Sequence, residues 1–168
     1  VAFANLNRFA EARSEADLFE SIVETLPSKA RVRSAKIGVL MEVARQVMWG
    51  EILFKEGDRE AGLAALRKGV EVEDSMPYAE PPSWMQPIRH SLGALLLEDG
   101  QVEDAMTVYR ADLERHAENV WSLHGLAESL RRLGREREAQ TVQARFDKVA
   151  QRADVPIRAS CYCRTPDA

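Results

Sequence analysis

HSLGALLLEDGQVEDAMTVYRADLERHAEN (90–119) and HGLAESLRRLGREREAQTVQARFDKVAQRAD (124–154) are two versions of one pattern. His90 aligns with His124, Leu92 with Leu126, Leu96 with Leu130, Gly100 with Gly134 and Ala105 with Ala139, each partner thirty-four residues further on. A period of that length holds one supersecondary unit, which cannot bury its apolar face alone and needs a neighbour to cover it. In each copy apolar residues recur every three or four positions, a glycine closes the segment, and a second periodic segment follows. That predicts helix, tight turn, helix. Val39, Val43, Val47 and the Ile52–Leu53 pair form an earlier stripe at the same helical spacing. No run alternates as a strand would, so the chain reads as all-α. Asp58 and Asn119 stand where helix N-caps belong, and Gly57, Gly100 and Gly134 where a left-handed residue ends a helix.

Two looser copies precede these. MWGEILFKEGDREAGLAAL (48–66) carries Trp49–Gly50 as a large–small pair, Leu53 as the next core position, Gly57 in the turn and Gly62 as the small residue of the second helix. ANLNRFAEARSEADLF (4–19) places Phe9, Ala12 and Ala16 on one stripe. The extra residues between copies fall around Pro27–Ser34 and in SMPYAEPPSWMQP (75–87), whose four prolines cannot continue a helix. Small residues at Gly50, Gly93, Ala127, Gly62, Ala105 and Ala139 let helices approach closely, which explains glycine inside a helix despite its cost of about 1 kcal/mol.

These marks resemble the tetratricopeptide repeat. The resemblance implies a right-handed α-solenoid of antiparallel helix pairs, about seven to eight helices, over residues 1–152, with a tail at 153–168. The repeats would fall at 1–26 (partial), near 35–74, 84–118 and 119–152. In this registration Val1 falls inside a first helix A, so the expectation is the C-terminal part of a longer bacterial-type repeat protein; a short frayed helix at 1–6 is the alternative. The fourth position of helix A, usually large and apolar in the family, holds Gln46, Arg89 and Leu123. Arg89 and Asp112, both departures from the family pattern, suggest an ion pair, with snorkelling to solvent as the alternative.

At net charge −4 and a pI near 5.5 the chain is not expected to bind nucleic acid or anionic membranes generally. Its longest apolar stretch is broken by Glu42, Arg45 and Glu51, which excludes a membrane-spanning helix. Compartment stays open, with a soluble, cytoplasmic chain favoured. No nucleophile elbow, phosphate-binding glycine loop or H-E-x-x-H occurs, and His90 and Ser91 point about 100° apart on one helix. Glu103 and Asp104 are explained by a helix start. An enzyme is not expected.

What the resemblance implies instead is a protein or peptide held on the concave face of the helices A. Its positions give Glu51, Phe54 and Lys55 in one repeat, His90, Leu97 and Glu98 in the next, and Trp121, His124, Glu128, Arg131 and Arg132 in the last. Aromatic anchors among charges of both signs suit a protein-binding patch; a solvated face without ligand is the bland reading. The lysine–asparagine set by which some relatives clamp a peptide carboxylate is missing. Arg131, Arg132, Arg135 and Arg137 form a local basic cluster, whose first two members read as a solvated helix end before a phosphate site. Self-association through the open N-terminal repeat edge is a further possibility.

The only two cysteines, Cys161 and Cys163, lie in SCYCRT (160–165) near the chain's end. They could offer thiolates to Cu(I) or Zn(II), though a closed zinc site wants four ligands. They could form a small reducible disulfide. The simplest expectation is a free tail or an apolar plug with Cys161 against the last helix, and no cofactor. His90 and His124, about 10 Å apart by helix-packing distances, are too far apart for one ion. A metal- or redox-handling accessory role is therefore the alternative to a binding scaffold.

Overall fold

The computed structural model describes residues 1–161. Among them are eight helices: α1 (Ala2–Asn5), α2 (Phe9–Thr25), α3 (Ile37–Glu56), α4 (Arg59–Asp74), α5 (Ile88–Glu98), α6 (Val102–Arg115), α7 (Val120–Arg132) and α8 (Glu136–Ala150). The chain divides into two compact units, Val1–Ile88 and the residues from Arg89 on. All-α holds with one exception. Strands β1 (Arg31–Val32) and β2 (Ala35–Lys36) pair antiparallel, Arg31 with Lys36 and Val32 with Ala35, across a turn in which Arg33 has a φ of 54°. Two-residue strands are too short for a period of two to show in the sequence, which is why this hairpin escapes a pattern reading.

In the first unit α3 and α4 form an antiparallel pair. A Cβ placed on Gly50 would lie 2.6 Å from Leu66 Cγ, and one on Gly62 would lie 2.7 Å from both the Gly50 carbonyl and the Phe54 amide. Later positions of α3 meet earlier ones of α4, and backbone nearly touches backbone. Gly57 makes the reversal with φ 105°, and the Asp58 carboxylate caps α4 by accepting from the Ala61 amide at 3.1 Å. Leu40, Val43, Leu63 and Leu66 are buried in the same unit, as are Ala4, Ala12, Ala16 and Ile52, which cluster with Met48 and Trp49 around them. Glu20 on α2 closes the contact with α3: Arg45 Nη2 donates to it at 2.7 Å and Trp49 Nε1 at 3.4 Å. The bond from Arg45, and secondarily that from Trp49, holds the Glu20 carboxyl below its usual range against the opposing effect of burial.

The proline-containing segment that follows α4 is fastened at both ends. The Ser34 hydroxyl of the hairpin turn donates to the carbonyls of Pro77 and Tyr78 (3.4 and 3.3 Å), and the Ile88 amide donates to Glu73 Oε2 at 3.1 Å.

The second unit shows the thirty-four-residue period in its hydrogen bonds. The Gln101 amide donates to the Leu96 carbonyl and the Arg135 amide to the Leu130 carbonyl, both at 2.9 Å, around Gly100 (φ 81°) and Gly134 (φ 69°). These are matched Schellman closures of α5 and α7. Leu92, Leu126, Leu96, Leu130, Ala105 and Ala139 are all buried. Asn119 caps α7, its Oδ1 accepting from the Trp121 and Ser122 amides at 3.0 and 3.2 Å.

Because Gly62 faces backbone, Gly62→Ala forces α3 and α4 apart, and a loss of about 1–3 kcal/mol is expected, the range for overpacking. Gly38, in the first turn of α3, has no atom within 4 Å of a Cβ position, so Gly38→Ala should be neutral or stabilising by up to about 1 kcal/mol. Urea unfolding followed by circular dichroism separates the two.

Candidate functional site

The second unit places α5 and α7 side by side, with Arg132 Nη1 of α7 donating to the Leu97 carbonyl of α5 at 2.9 Å. Helices α6 and α8 lie together on the other side, joined where Arg110 Nη2 meets Glu138 Oε2 at 3.3 Å. Tyr109 of α6 passes between α5 and α7. A Cβ on Gly93 would sit 2.5 Å from its ring, and a Cβ on Gly125 only 2.2 Å from it. The ring fills the space that two missing side chains leave open, and it is fully buried. Its hydroxyl lies at the tip of the ring, beside Gly93. There it donates to Ser160 Oγ at 2.6 Å. The next residue, Cys161, is also fully buried, with its Sγ 3.7 Å from Ser91 Oγ of α5. The end of an irregular stretch, Ser160 and Cys161, is thus held against Tyr109 and α5.

Beside Tyr109 lies a buried polar cluster. Asp112 Oδ2 accepts from Ser122 Oγ at 2.6 Å and sits 3.2 Å from His90 Nε2, and all three residues are almost entirely buried. Burial alone would raise the Asp112 pKa, but the bonds from His90 and Ser122, with the charges of His90 and His116, outweigh it and leave the carboxyl below its ordinary value. Asp112 Oδ1 has no hydrogen-bond partner. Serine, histidine and aspartate are brought together here, but both others hang on the aspartate, and Ser122 does not bond the imidazole. A nucleophile needs its base within reach of its own hydroxyl, and here Ser122 and His90 each bond Asp112 instead, an arrangement that ties three helices together. It also corrects the expected Arg89–Asp112 pair. His90, one position further along α5, points inward to Asp112, while Arg89 stays half-buried.

The residues expected on the helix-A face divide sharply. Glu51, Phe54, His90 and Leu97 are buried and present no side-chain surface. Lys55, in the first unit, is half-buried. In the second unit Glu98, Arg131 and Arg132 are exposed and Trp121, His124 and Glu128 half-buried. Glu128 Oε1 accepts from Arg132 Nε at 2.7 Å and its Oε2 lies 3.2 Å from Arg131 Nη1, so these three form one ion network. The Arg132 bond above all keeps the Glu128 carboxyl below its usual range. His124 turns towards α8, edge-on to Phe146 at 5.6 Å, and its Nδ1 is buried without a partner. Burial, with the positive charge of Arg131 behind it, lowers the His124 pKa although Glu128 pulls the other way.

Cys161 is disulfide-bonded and touches α5, not the last helix as expected. Cys163 lies outside the described residues. Among the described residues no group of three or more histidine, cysteine, aspartate or glutamate side chains could hold a metal ion, and no helix is long and apolar enough to cross a membrane. On the opposite side of the unit, α6 and α8 wall a groove of about 450 Å³ with Leu126 and Leu130 in its floor and Arg110, Glu114 and Arg145 at its rim.

Tyr109, Gly125, Ser91, Ser122 and Ser160 escape the pattern reading. Gly125 carried the available signal: a glycine inside a helix needs a reason, and it has no glycine thirty-four residues earlier, where Ser91 stands. Comparison with known proteins finds no matching family model, no matching curated protein and no matching solved structure.

Two pH responses follow. The folded Asp112 carboxyl lies below its unfolded value, so its contribution is full above about pH 4 and is lost as pH falls through the folded pKa. Asp112→Asn should therefore flatten the acid limb of a urea-midpoint profile between about pH 2.5 and 5. His124 is also held below its unfolded value, but as a base: the unfolded chain takes up the proton first, and stability falls as pH drops below about 6.5. His124→Phe, which keeps a ring against Phe146, should reduce that slope between about pH 5 and 7.

Proposed function

We propose that the chain is a non-catalytic interaction module of the tetratricopeptide kind, and that the α5–α7 face of its second unit holds an extended segment of a partner protein. The observation that supports this is the burial of Ser160 and Cys161: the end of an irregular stretch already meets Tyr109 and Ser91 there. Support for the repeat type comes from the antiparallel pairs α5/α6 and α7/α8, in which residues thirty-four apart share burial and turn geometry. Trp121 supplies an amphipathic anchor, and Glu98 with the Glu128–Arg131–Arg132 network supplies charges of both signs at the edge. Interfaces of this make-up concentrate affinity in a few aromatic and arginine side chains.

Selection of a displayed random-peptide library against the protein tests this. Enriched peptides should bind saturably, and Trp121→Ala should weaken them at least about tenfold, the loss expected of an aromatic hot spot. Peptides indifferent to Trp121→Ala and to Arg132→Ala would place the binding surface elsewhere; no enrichment at all would remove the reading.

A second reading, redox handling by the tail, is favoured by one observation, the disulfide at Cys161. Thiol counts before and after treatment with a glutathione buffer test it, since only a labile disulfide opens there.

A further inference from the structure

We infer that the α5–α7 face carries a built acceptor site for a hydroxyl-bearing residue followed by a half-cystine, and that this chain's own segment 153–161 fills it in cis until a partner segment displaces it. The inference rests on the reading of this face as a peptide site and adds what the peptide must look like and what competes with it.

The site has two walls, Tyr109 of α6 and Ser91 of α5. Tyr109, locked between Gly93 and Gly125, presents only its hydroxyl, because the ring has no room to turn. That hydroxyl is 2.6 Å from Ser160 Oγ, a distance a hydroxyl–hydroxyl bond requires and an apolar side chain cannot satisfy. One residue on, Ser91 of α5 meets Cys161 Sγ, and Cys161 is 0% exposed. Both positions are buried, so a leucine or phenylalanine at either would have to displace the side chains around it.

Away from this pair the segment is held loosely. Val155 is 57% exposed, Asp154, Pro156 and Arg158 are exposed, and Ile157 and Ala159 only half-buried. A strap belonging to the core would bury its large residues and leave small ones outside. Here the order is inverted: the small residues are buried and Val155 is not. Among the described residues of the segment, burial is thus concentrated at Ser160 and Cys161, and 153–159 act as tether. Such a tether gives the tail an effective concentration on the order of 1 mM, so a segment that binds in trans at about 10 µM suppresses a competitor roughly a hundredfold.

The test uses the full chain with a protease site introduced at the exposed Gln151–Arg152, cut after purification, and a labelled synthetic peptide of residues 153–168 in its disulfide form as probe. Anisotropy should report saturable binding to the cut, dialysed protein and binding roughly a hundredfold weaker to the uncut one. Uncut Ser160→Glu, in which a carboxylate is forced against Tyr109, should release the tail and bind the probe as the cut protein does. The cut protein with Tyr109→Phe, which keeps the ring and removes the hydroxyl, should bind the probe at least about tenfold more weakly at unchanged helical signal. Equal binding by cut and uncut protein overturns the inference, as does absence of binding by a cut protein that keeps its helical signal. Loss of helical signal on cutting overturns it too, since the segment is then a fixed part of the core. These outcomes are separable from those of the library selection. Selected peptides that bind the face while the tail peptide does not would leave the face a peptide site with no cis occupant. A tail that binds in trans where no foreign peptide does would leave the acceptor site and remove the partner.

Discussion

Close approach of helices is the constraint on which both units depend. Gly50 and Gly62 bring α3 and α4 to backbone contact, and Gly93 and Gly125 open a slot of one ring's thickness between α5 and α7. The two solutions differ in kind. In the first, missing side chains shorten the distance between helices. In the second, they hold helices apart by the thickness of Tyr109, and the gap is filled by an aromatic ring whose burial is itself strongly favourable. Interior packing at crystal-like density leaves neither arrangement free to adjust by a methyl group.

Much of this was readable from residue order. The period of thirty-four, the caps at Asp58 and Asn119 and the left-handed glycines are local features, each decided within a few residues. What a local pattern cannot convey is the direction of a side chain relative to a neighbour far along the chain. His90 was readable as a residue of the helix-A face, but its orientation depends on Asp112, twenty-two positions later, and on Ser122 beyond it. The same holds for Phe54 and Leu97, whose helical phase put them near the face and whose neighbours cover them. The hairpin was lost for a different reason, being shorter than the window in which alternation registers. The tail was legible as a tail, but nothing periodic marks its meeting with Tyr109 and Ser91.

The buried polar residues of the second unit share one logic. Asp112 ties α6 to α5 through His90 and to α7 through Ser122, so one carboxylate sets the relative rotation of three helices. Hydrophobic contacts tolerate small rotations; a carboxylate shared between two short bonds does not. Rotation matters here because Tyr109 lies one turn away on the same helix. If α6 turned, the ring would leave the slot between Gly93 and Gly125.

Order of synthesis gives the slot another meaning. Helices α5, α6 and α7 leave the ribosome before residues 153–161 do, and chains acquire structure from the N-terminal side as they emerge. Every new molecule therefore passes through an interval in which Tyr109 is in place and its hydroxyl still faces water. Any partner acting during translation meets the face uncovered, with no tail to displace. On the reading proposed above, a partner reaches the same surface of the finished molecule by exchange with the tail.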